Sequence, residues 1–393
     1  MNFERVTVYL DSLKDSFDVR CSDCIVLKEH QTIYRHITGT MDCAGMKRLT
    51  EDNLHDIFSA SKVLTMIAVM QLVEQGKIRL NDELSKYLPE FKNMNVLADF
   101  DLTDFVSTGK FAIGWPGEEE KTNPCQNKIL IHDMMSMCAG FSYHLGSKGV
   151  LKVLEKNPHA GTREIVHAMA EYPLLYEPGT RYAYSYAHDI LAAVVEVVSG
   201  LKFGEYMKRY VFEPLETSDI FYQVPVSEMY RMTELYTFDA EKEKYVPCTV
   251  NIARLNDTYE SGGGGVACTV EAYSKIIDAL ANDGIGANGT QILKPESIKE
   301  MSKNRLNEQQ LQDFHIGGKL EYGYGLGVRT LIDENASKSP IGEFGWDGAA
   351  GAYVLIDPKN HLAVFYVQAA PESGPAFSTI HPTLRDLIYD AVS

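Results

Sequence analysis

Ser59 and Lys62 lie three residues apart at the start of the longest apolar segment of the chain, residues 58–76. Residues three apart share one face of a helix, so the amine of Lys62 can sit beside the hydroxyl of Ser59. A serine alcohol is a poor nucleophile until a base accepts its proton, and a lysine whose charge is disfavoured by burial can be that base. The pair predicts a catalytic serine, although the spacing alone also fits a helix N-terminal serine beside a surface lysine.

A second candidate lies within residues 177–189, where a turn and a short extended piece precede an apolar helix. Tyr184 stands just before that helix. Its phenol can share a proton with Lys62 and Ser59, acting as a base toward the serine and then as an acid toward the leaving group. The alternative is structural, because three tyrosines spaced by two, with Tyr184 in the middle, also fit one packed aromatic face of an edge strand.

The third candidate is the segment Phe-Gly-Trp-Asp-Gly-Ala at residues 344–349. Gly348 lets a substrate backbone approach closely. If this strand edge borders Ser59, the backbone N–H groups of Ala349 and Ser59 can together hold the negative oxygen of a tetrahedral intermediate. The alternative is a hairpin turn at Asp347 and Gly348, since Asp-Gly is a common turn dipeptide.

Hydrophobic spacing predicts the elements that position these residues. Residues 2–16 fit an amphipathic helix, and residues 24–27 and 32–37 fit a hairpin. The middle of the chain is mostly helical in pattern, with a helix stop at Gly200. Strands are expected near the C-terminus at 324–330, 343–346, 352–357 and 361–369, followed by a helix at 379–391.

Strands near both ends of the chain, with helices between them, predict an α+β fold. An antiparallel sheet built from N- and C-terminal segments and flanked by helices would lie beside a mostly helical lobe. We expect a single domain over residues 1–393, with 1–77 and 221–393 in the sheet lobe and 78–220 in the helical lobe. Repeats and low-complexity tracts are absent from the sequence, which disfavours solenoids and disordered scaffolds.

In chain order, Ser59-Ala-Ser-Lys62, Tyr184-Ser-Tyr186 and Trp346-Asp-Gly348 resemble the three motifs of the penicillin-recognising serine hydrolases. The nearest branch is the class C β-lactamases and their esterase relatives, the family VIII carboxylesterases. The resemblance covers roughly residues 20 to 370 and implies a β-lactamase/transpeptidase-like fold. Further similar stretches are 80–84, 87–89, 129–133, 177–180, 214–216, 261–265 and 322–327.

The resemblance also implies a role for each matching residue. Ser59 would be the acylated nucleophile, Lys62 its base or proton relay, and Tyr184 the general base and acid. The N–H groups of Ser59 and Ala349 would form the oxyanion hole. Water would release the acyl group, so the resemblance implies no cofactor. We expect no metal either, because the cysteines and histidines of the sequence lack metal-ligand spacing.

Two departures from the β-lactamase motifs concern the substrate. Tyr186 stands where those enzymes have a compact asparagine, and Trp346 and Asp347 replace the cation and hydroxyl of a Lys-Thr-Gly motif, which favour a substrate carboxylate. A carboxylate at position 347 disfavours an anionic substrate unless it points away. It can instead attract a cation or cap a turn. Trp346 offers an apolar wall, as in the carboxylesterases of the family.

We therefore predict an acyl-serine hydrolase, an esterase or amidase acting on small neutral or cationic acyl substrates. Tyr186, Trp346, Asp347 and Gly348 are the expected substrate-binding residues. A β-lactamase or D,D-peptidase is the first alternative. A catalytically weak binding or structural homologue is the second, although the sequence keeps the serine, the lysine and the tyrosine.

Composition limits the partners. A net charge of −17 disfavours nucleic acids and anionic membranes as partners, because both carry phosphate. The N-terminal sequence lacks the apolar core of a secretion signal and the chain lacks an apolar run of membrane-spanning length, so we expect a cytoplasmic protein. The seven cysteines are an odd number and scattered, which indicates free thiols. The oligomeric state is not indicated.

One glycine-rich motif does not fit a nucleotide site. Residues 262–267 match Gly-x-Gly-x-x-Ala, but a polar segment precedes them where dinucleotide binding requires an apolar strand. A flexible loop or a close packing contact is expected there. The sequence also lacks the Gly-x-Ser-x-Gly elbow and the His-Glu-x-x-His motif.

Overall fold

The fold is that of a computed structural model of the 393-residue chain. It describes residues 1–100, 120–143, 147–239, 241–248, 253–371 and 374–393.

A seven-stranded antiparallel sheet forms the centre of the molecule. Strand Cys21–Lys28 pairs with Gln31–Gly39 on one side and with Leu362–Gln368 on the other. The predicted sheet of N- and C-terminal segments is therefore confirmed, as is the N-terminal hairpin. From edge to edge, the strands are Tyr322–Tyr324, Arg329–Leu331, Phe344–Gly345, Tyr353–Asp357, Leu362–Gln368, Cys21–Lys28 and Gln31–Gly39.

Both faces of the sheet are buried, except along the edge strand Gln31–Gly39, whose residues are half-buried or exposed. Along the strand Cys21–Lys28, Ile25 and Leu27 pack into one hydrophobic core, while Cys24 and Val26 pack into another. Successive side chains of a strand point to opposite faces, so a nearly continuous apolar run supplies both cores. Helices Glu4–Phe17 and His381–Val392 line the second core, and helices Ser61–Glu74 and Val270–Ala281 line the first.

One predicted strand is wrong in its extent. Residues 324–330 were expected to form one strand, but Tyr322–Tyr324 and Arg329–Leu331 are separate and pair with each other. The N–H of Gly325 donates to the carbonyl of Val328 at 2.8 Å, and Gly327 has a φ of +74°. Glycine adopts that conformation without strain, so the chain turns back within the apolar stretch.

The middle of the chain is largely helical, as predicted. Gly200 ends the helix Ala187–Ser199 in a left-handed conformation with φ +74°. The helices of this part are Ile131–Met135, Lys148–Lys156, Thr162–Met169, Ala187–Ser199 and Phe203–Met207. The remaining α-helices of the described ranges are Pro295–Ser302 and Glu308–His315. Short strands are His55–Asp56, Asn95–Leu97, Thr122–Pro124, Ile220–Phe221, Tyr236–Asp239, Lys244–Pro247 and Ala267–Cys268.

None of the helices that the structure describes combines the length and the apolar character needed to cross a bilayer. The seven cysteines, all of which lie in described ranges, are free thiols. The division into lobes 1–77 with 221–393 and 78–220 remains a prediction.

Candidate active site

Ser59 lies at a tight junction between a strand and a helix. The strand His55–Asp56 pairs with Ala267–Cys268, and a 3₁₀ turn over Phe58–Ala60 leads into the helix Ser61–Glu74. Phe58 has a φ of +45°, a left-handed conformation that costs a residue with a side chain about 1–2 kcal/mol. Such strain persists only where the surroundings enforce it, and it lies here immediately before the candidate nucleophile.

The predicted serine, lysine and tyrosine meet in space. Nζ of Lys62 lies 3.2 Å from Oγ of Ser59, and the hydroxyl of Tyr184 lies 2.7 Å from the same Oγ. Lys62 and Ser59 therefore face each other, although Ser59 sits in the 3₁₀ turn and not in the α-helix itself. Ser59 is 9% exposed, Tyr184 6% and Lys62 0%. A buried alcohol thus contacts both an amine and a phenol.

Burial favours the neutral form of both Lys62 and Tyr184. It lowers the pKa of Lys62, against the opposing effects of Tyr143 and Asp189. It raises the pKa of Tyr184, against the opposing hydrogen bonds with Ser59 and Trp346. The charged form of each group is disfavoured because little water is available to solvate it.

Trp346, from the third motif, contacts the second motif directly. Its indole Nε1 donates a hydrogen bond to the Tyr184 hydroxyl at 3.3 Å, and the two rings stack with centroids 5.6 Å apart. The backbone of Gly348 lies against the carbonyl of Ile57, where a Cβ would come within 2.1 Å of the oxygen. The third motif therefore borders the turn that carries Ser59, and residue 348 must be glycine at this distance.

The turn in the third motif lies slightly beyond the Asp-Gly pair. Asp347 forms a β-bridge with Tyr353, and the N–H of Gly351 donates to the carbonyl of Gly348 at 2.8 Å. Ala349 is exposed within this turn. Asp347 thus continues the strand pairing, and Ala349 occupies the turn that borders the Ser59 segment.

Asp347 is already paired with cations of the chain, which corrects its expected roles. Oδ2 lies 2.5 Å from Nζ of Lys319 and Oδ1 lies 3.2 Å from Nη1 of Arg329. Burial alone would raise the pKa of Asp347, but these two positive charges outweigh it and hold the pKa below its usual range. The carboxylate is therefore neither a turn cap nor an uncompensated charge that would attract a cationic substrate.

Tyr143 belongs to the site but is not among the residues predicted from the sequence. Its ring stacks between those of Tyr184 and Tyr186, with centroid distances of 5.2 and 4.6 Å. Nζ of Lys62 lies 5.6 Å from its ring centroid. Tyr186 stacks here too, whereas Tyr182 packs against Phe314 and Tyr324, so the tyrosines do not share one face of an edge strand. Tyr143 belongs to no recognisable sequence motif, because the residues that it contacts in the fold, Tyr184 and Tyr186, are distant in sequence.

The geometry of the site agrees with comparisons to known proteins. A family model described as Beta-lactamase matches residues 24–386. The chain belongs to the Beta-lactamase family. The resemblance to the penicillin-recognising serine hydrolases and the expected fold are thereby confirmed, and this Beta-lactamase family member is a serine hydrolase.

The family member is similar to an esterase in sequence and to two hydrolases in fold. It is 28% identical to lovastatin esterase of Penicillium rubens over 397 residues, covering 93% of each chain. The solved structure of EstCE1, a hydrolase with promiscuous acyltransferase activity, superposes with a TM-score of 0.78 at 21% identity, covering 98% of each chain. A family VIII carboxylesterase superposes with a TM-score of 0.73 at 18% identity, covering 97% of this chain and 95% of the other.

The glycine-rich segment of this Beta-lactamase family member lies against the site, as the predicted close packing contact. Lys62 donates a hydrogen bond to the carbonyl of Gly263 at 2.6 Å, and Oγ1 of Thr65 donates to that of Gly262 at 2.6 Å. Within the described ranges, no cluster of three or more His, Cys, Asp or Glu side chains is arranged to hold a metal ion.

Proposed function

We propose that the protein hydrolyses small acyl compounds, as an esterase or amidase, through an acyl-enzyme on Ser59. One observation carries the proposal: Oγ of Ser59 lies within hydrogen-bonding distance of both Lys62, at 3.2 Å, and Tyr184, at 2.7 Å. Neighbouring acid and base groups of this kind activate a serine. The similarity to lovastatin esterase supports an ester as the substrate class.

In the acylation step, Lys62 accepts the proton of Ser59. Because burial favours the neutral amine and the neutral phenol, Lys62 is the base and Tyr184 the acid of the resting site. Rotation of the hydroxyl hydrogens, with no movement of heavier atoms, lets Ser59 donate to the amine. As Oγ bonds to the carbonyl carbon, the proton passes to Nζ and the carbonyl oxygen becomes negative.

The rest of the reaction uses the same groups. The N–H groups of Ser59 and Ala349 hold the negative oxygen. Tyr184 gives its proton to the leaving alcohol or amine as the bond to it breaks, and the Lys62 ammonium restores the phenol. In deacylation, water attacks the ester, loses its proton to these groups, and Oγ of Ser59 leaves with a proton.

Aromatic side chains favour a neutral acyl group. Tyr143 and Trp346 stack on the ring of Tyr184, whose hydroxyl contacts Ser59. Tyr186 stacks on Tyr143. Such rings favour apolar surface over hydrated charge. Since Asp347 is already paired with Lys319 and Arg329, we drop the cationic substrate class and keep the neutral one.

A β-lactam or D-alanyl peptide remains a second candidate substrate because of the same ion pairs. The sequence alone suggested that Asp347 would repel a substrate carboxylate. With Lys319 and Arg329 beside it, this negative charge is balanced locally, so the electrostatic objection to an anionic substrate is weaker.

A labelling experiment combined with a substrate panel tests these functions. A fluorophosphonate should add its mass to Ser59 of the wild type and not to Ser59→Ala, while Ser61→Ala, which removes the neighbouring serine, should still be labelled. p-Nitrophenyl esters should be turned over faster than nitrocefin or a D-Ala-D-Ala peptide, and the reverse order would favour the second candidate. A wild type without labelling or turnover would leave a binding or structural role.

A further inference from the structure

The amine of Lys62, the proposed base, is held by the loop 261–265. The side chain that anchors this loop takes no part in the proton transfers proposed above. The segment 261–265 accepts hydrogen bonds from Lys62 and Thr65 through two successive carbonyls, those of Gly263 and Gly262. A carbonyl can direct an amine only if the loop that carries it is itself fixed. The residue that fixes this loop therefore affects where the amine of Lys62 stands.

Asp189 is the anchor of that loop. It lies in the first turn of the helix Ala187–Ser199 and is 2% exposed. Its Oδ1 accepts hydrogen bonds from the hydroxyls of Tyr259 and Ser261, both at 2.6 Å. A buried carboxylate is costly unless it is hydrogen-bonded, so these two contacts hold the start of the loop firmly against the helix.

Gly263 separates the carboxylate of Asp189 from the amine of Lys62. A Cβ at position 263 would lie 2.4 Å from Oδ2 of Asp189 and 3.3 Å from Nζ of Lys62. The two groups thus approach the same residue, which has room for a hydrogen but not for a methyl group. A carboxylate within about 4–6 Å of an amine stabilises the ammonium form of that amine.

We propose that Asp189 is a positioning residue for proton transfer at Ser59: it fixes the loop 261–265, and through the Gly263 carbonyl and its own charge it sets the place and the protonation of Lys62. The inference rests on the proposed function, since it concerns the base of that reaction. Asp189 acts through Lys62 and does not contact the substrate.

The charge effect has a definite sign. Burial lowers the pKa of Lys62, and the other titratable groups that act on it are Tyr143 and Asp189, both of which raise this pKa. Tyr184 has a raised pKa and His188 a lowered one, in each case because of burial, so both stay neutral. Removing the Asp189 charge therefore lowers the pKa of Lys62 further, and the neutral amine forms at lower pH.

Asp189→Asn tests the proposal, because it keeps the shape of the side chain and removes the charge. We expect kcat to fall roughly 10- to 100-fold with little change in KM, because a neutral amide oxygen holds the hydroxyls of Tyr259 and Ser261 less strongly than a carboxylate does and the loop then positions the amine less well. In a plot of kcat/KM against pH, the rising limb should move to lower pH. Asp278→Asn is the matched control, because Asp278 is also a buried carboxylate, bonded to His30 at 2.7 Å, and its loss should leave the limb in place.

Tyr259→Phe together with Ser261→Ala keeps the charge and removes both hydroxyl donors. This double variant should lower kcat without moving the rising limb of the pH profile. If Asp189→Asn does not fold, the double variant alone tests the inference. A folded Asp189→Asn with the wild-type limb and labelling rate, or a double variant with wild-type kcat, would overturn the inference. A wild type that fluorophosphonate does not label would instead overturn the proposed function, so the two failures are distinguishable.

Discussion

The indole nitrogen of Trp346 donates a hydrogen bond to the phenolic oxygen of Tyr184, 162 residues away in the chain. The same phenol donates to Oγ of Ser59. The indole thereby joins the third motif to Ser59 through the second motif. In the proposed mechanism it orients the proton that Tyr184 gives to the leaving group, in addition to offering an apolar surface.

Trp346→Phe should lower kcat, because it keeps an aromatic ring and removes the donor. A net hydrogen-bond contribution of about 0.5–1.5 kcal/mol corresponds to a loss of roughly three- to tenfold. The effect should vanish in a Tyr184→Phe background, where no phenolic oxygen remains to accept the bond. An equal loss in both backgrounds would mean that Trp346 acts by packing alone.

Tyr184→Phe and Lys62→Met should each slow acylation of Ser59 by about two to four orders of magnitude, since each removes a group that carries a proton. The rate of fluorophosphonate labelling measures this step directly. Tyr182→Phe is the matched control, because Tyr182 packs against Phe314 and Tyr324, and its labelling rate should stay near that of the wild type.

Acylation should accelerate as pH rises through the pKa of Lys62. The neutral amine is the active form, and burial lowers the pKa of this group, so the rise should be centred below the value of about 10.4 for a free lysine. Tyr184 has a raised pKa and should stay protonated across this range. A labelling rate that rises only above the free-lysine value would contradict the assignment of Lys62 as base.

Gly348→Ala should damage both folding and activity. The added methyl would lie 2.1 Å from the carbonyl oxygen of Ile57, two residues before Ser59, so the turn must shift. Overpacking of this kind costs about 1–3 kcal/mol of unfolding free energy, which urea denaturation measures. Gly374→Ala serves as the control, because a Cβ there meets no atom within 4 Å. Equal effects in the two variants would exclude the close approach at position 348.

Asp347→Asn should destabilise the protein by about 3–5 kcal/mol at neutral pH, because Lys319 loses its buried carboxylate partner and Arg329 is left with the carboxylate of Glu343, at 3.5 Å. The folded pKa of Asp347 lies below its unfolded value of about 3.9, so its stabilising effect is fully present above that value and is lost as pH falls through the folded pKa. The gap in unfolding free energy between wild type and variant should therefore narrow below about pH 4. A gap that does not change with pH would contradict this account.

Patterns that are local in sequence predicted the fold well. Alternation and apolar runs located the strands Cys21–Lys28, Tyr353–Asp357 and Leu362–Gln368, and a glycine located the end of the helix Ala187–Ser199. The strand expected at 324–330 failed because an apolar stretch does not reveal a turn within it.

The sequence predicted the meeting of Ser59, Lys62 and Tyr184, because motifs in a fixed order imply a shared geometry. It did not predict Tyr143, which has no motif, or the ion pairs of Asp347. Arg329 and Lys319 come from other segments and reach Asp347 only in the folded chain. The charge balance of a buried site therefore depends on tertiary contacts that no local pattern reports.

The pairing of strand Cys21–Lys28 with Leu362–Gln368 affects how the protein is made. The first of these strands leaves the ribosome long before its partner is synthesised, so the centre of the sheet can close only after residues 362–368 have emerged. Ser59 and Lys62 emerge early as well, whereas Trp346 emerges late. The hydrogen bonds that link Ser59, Tyr184 and Trp346 can therefore form only after the segment around residue 346 has been synthesised.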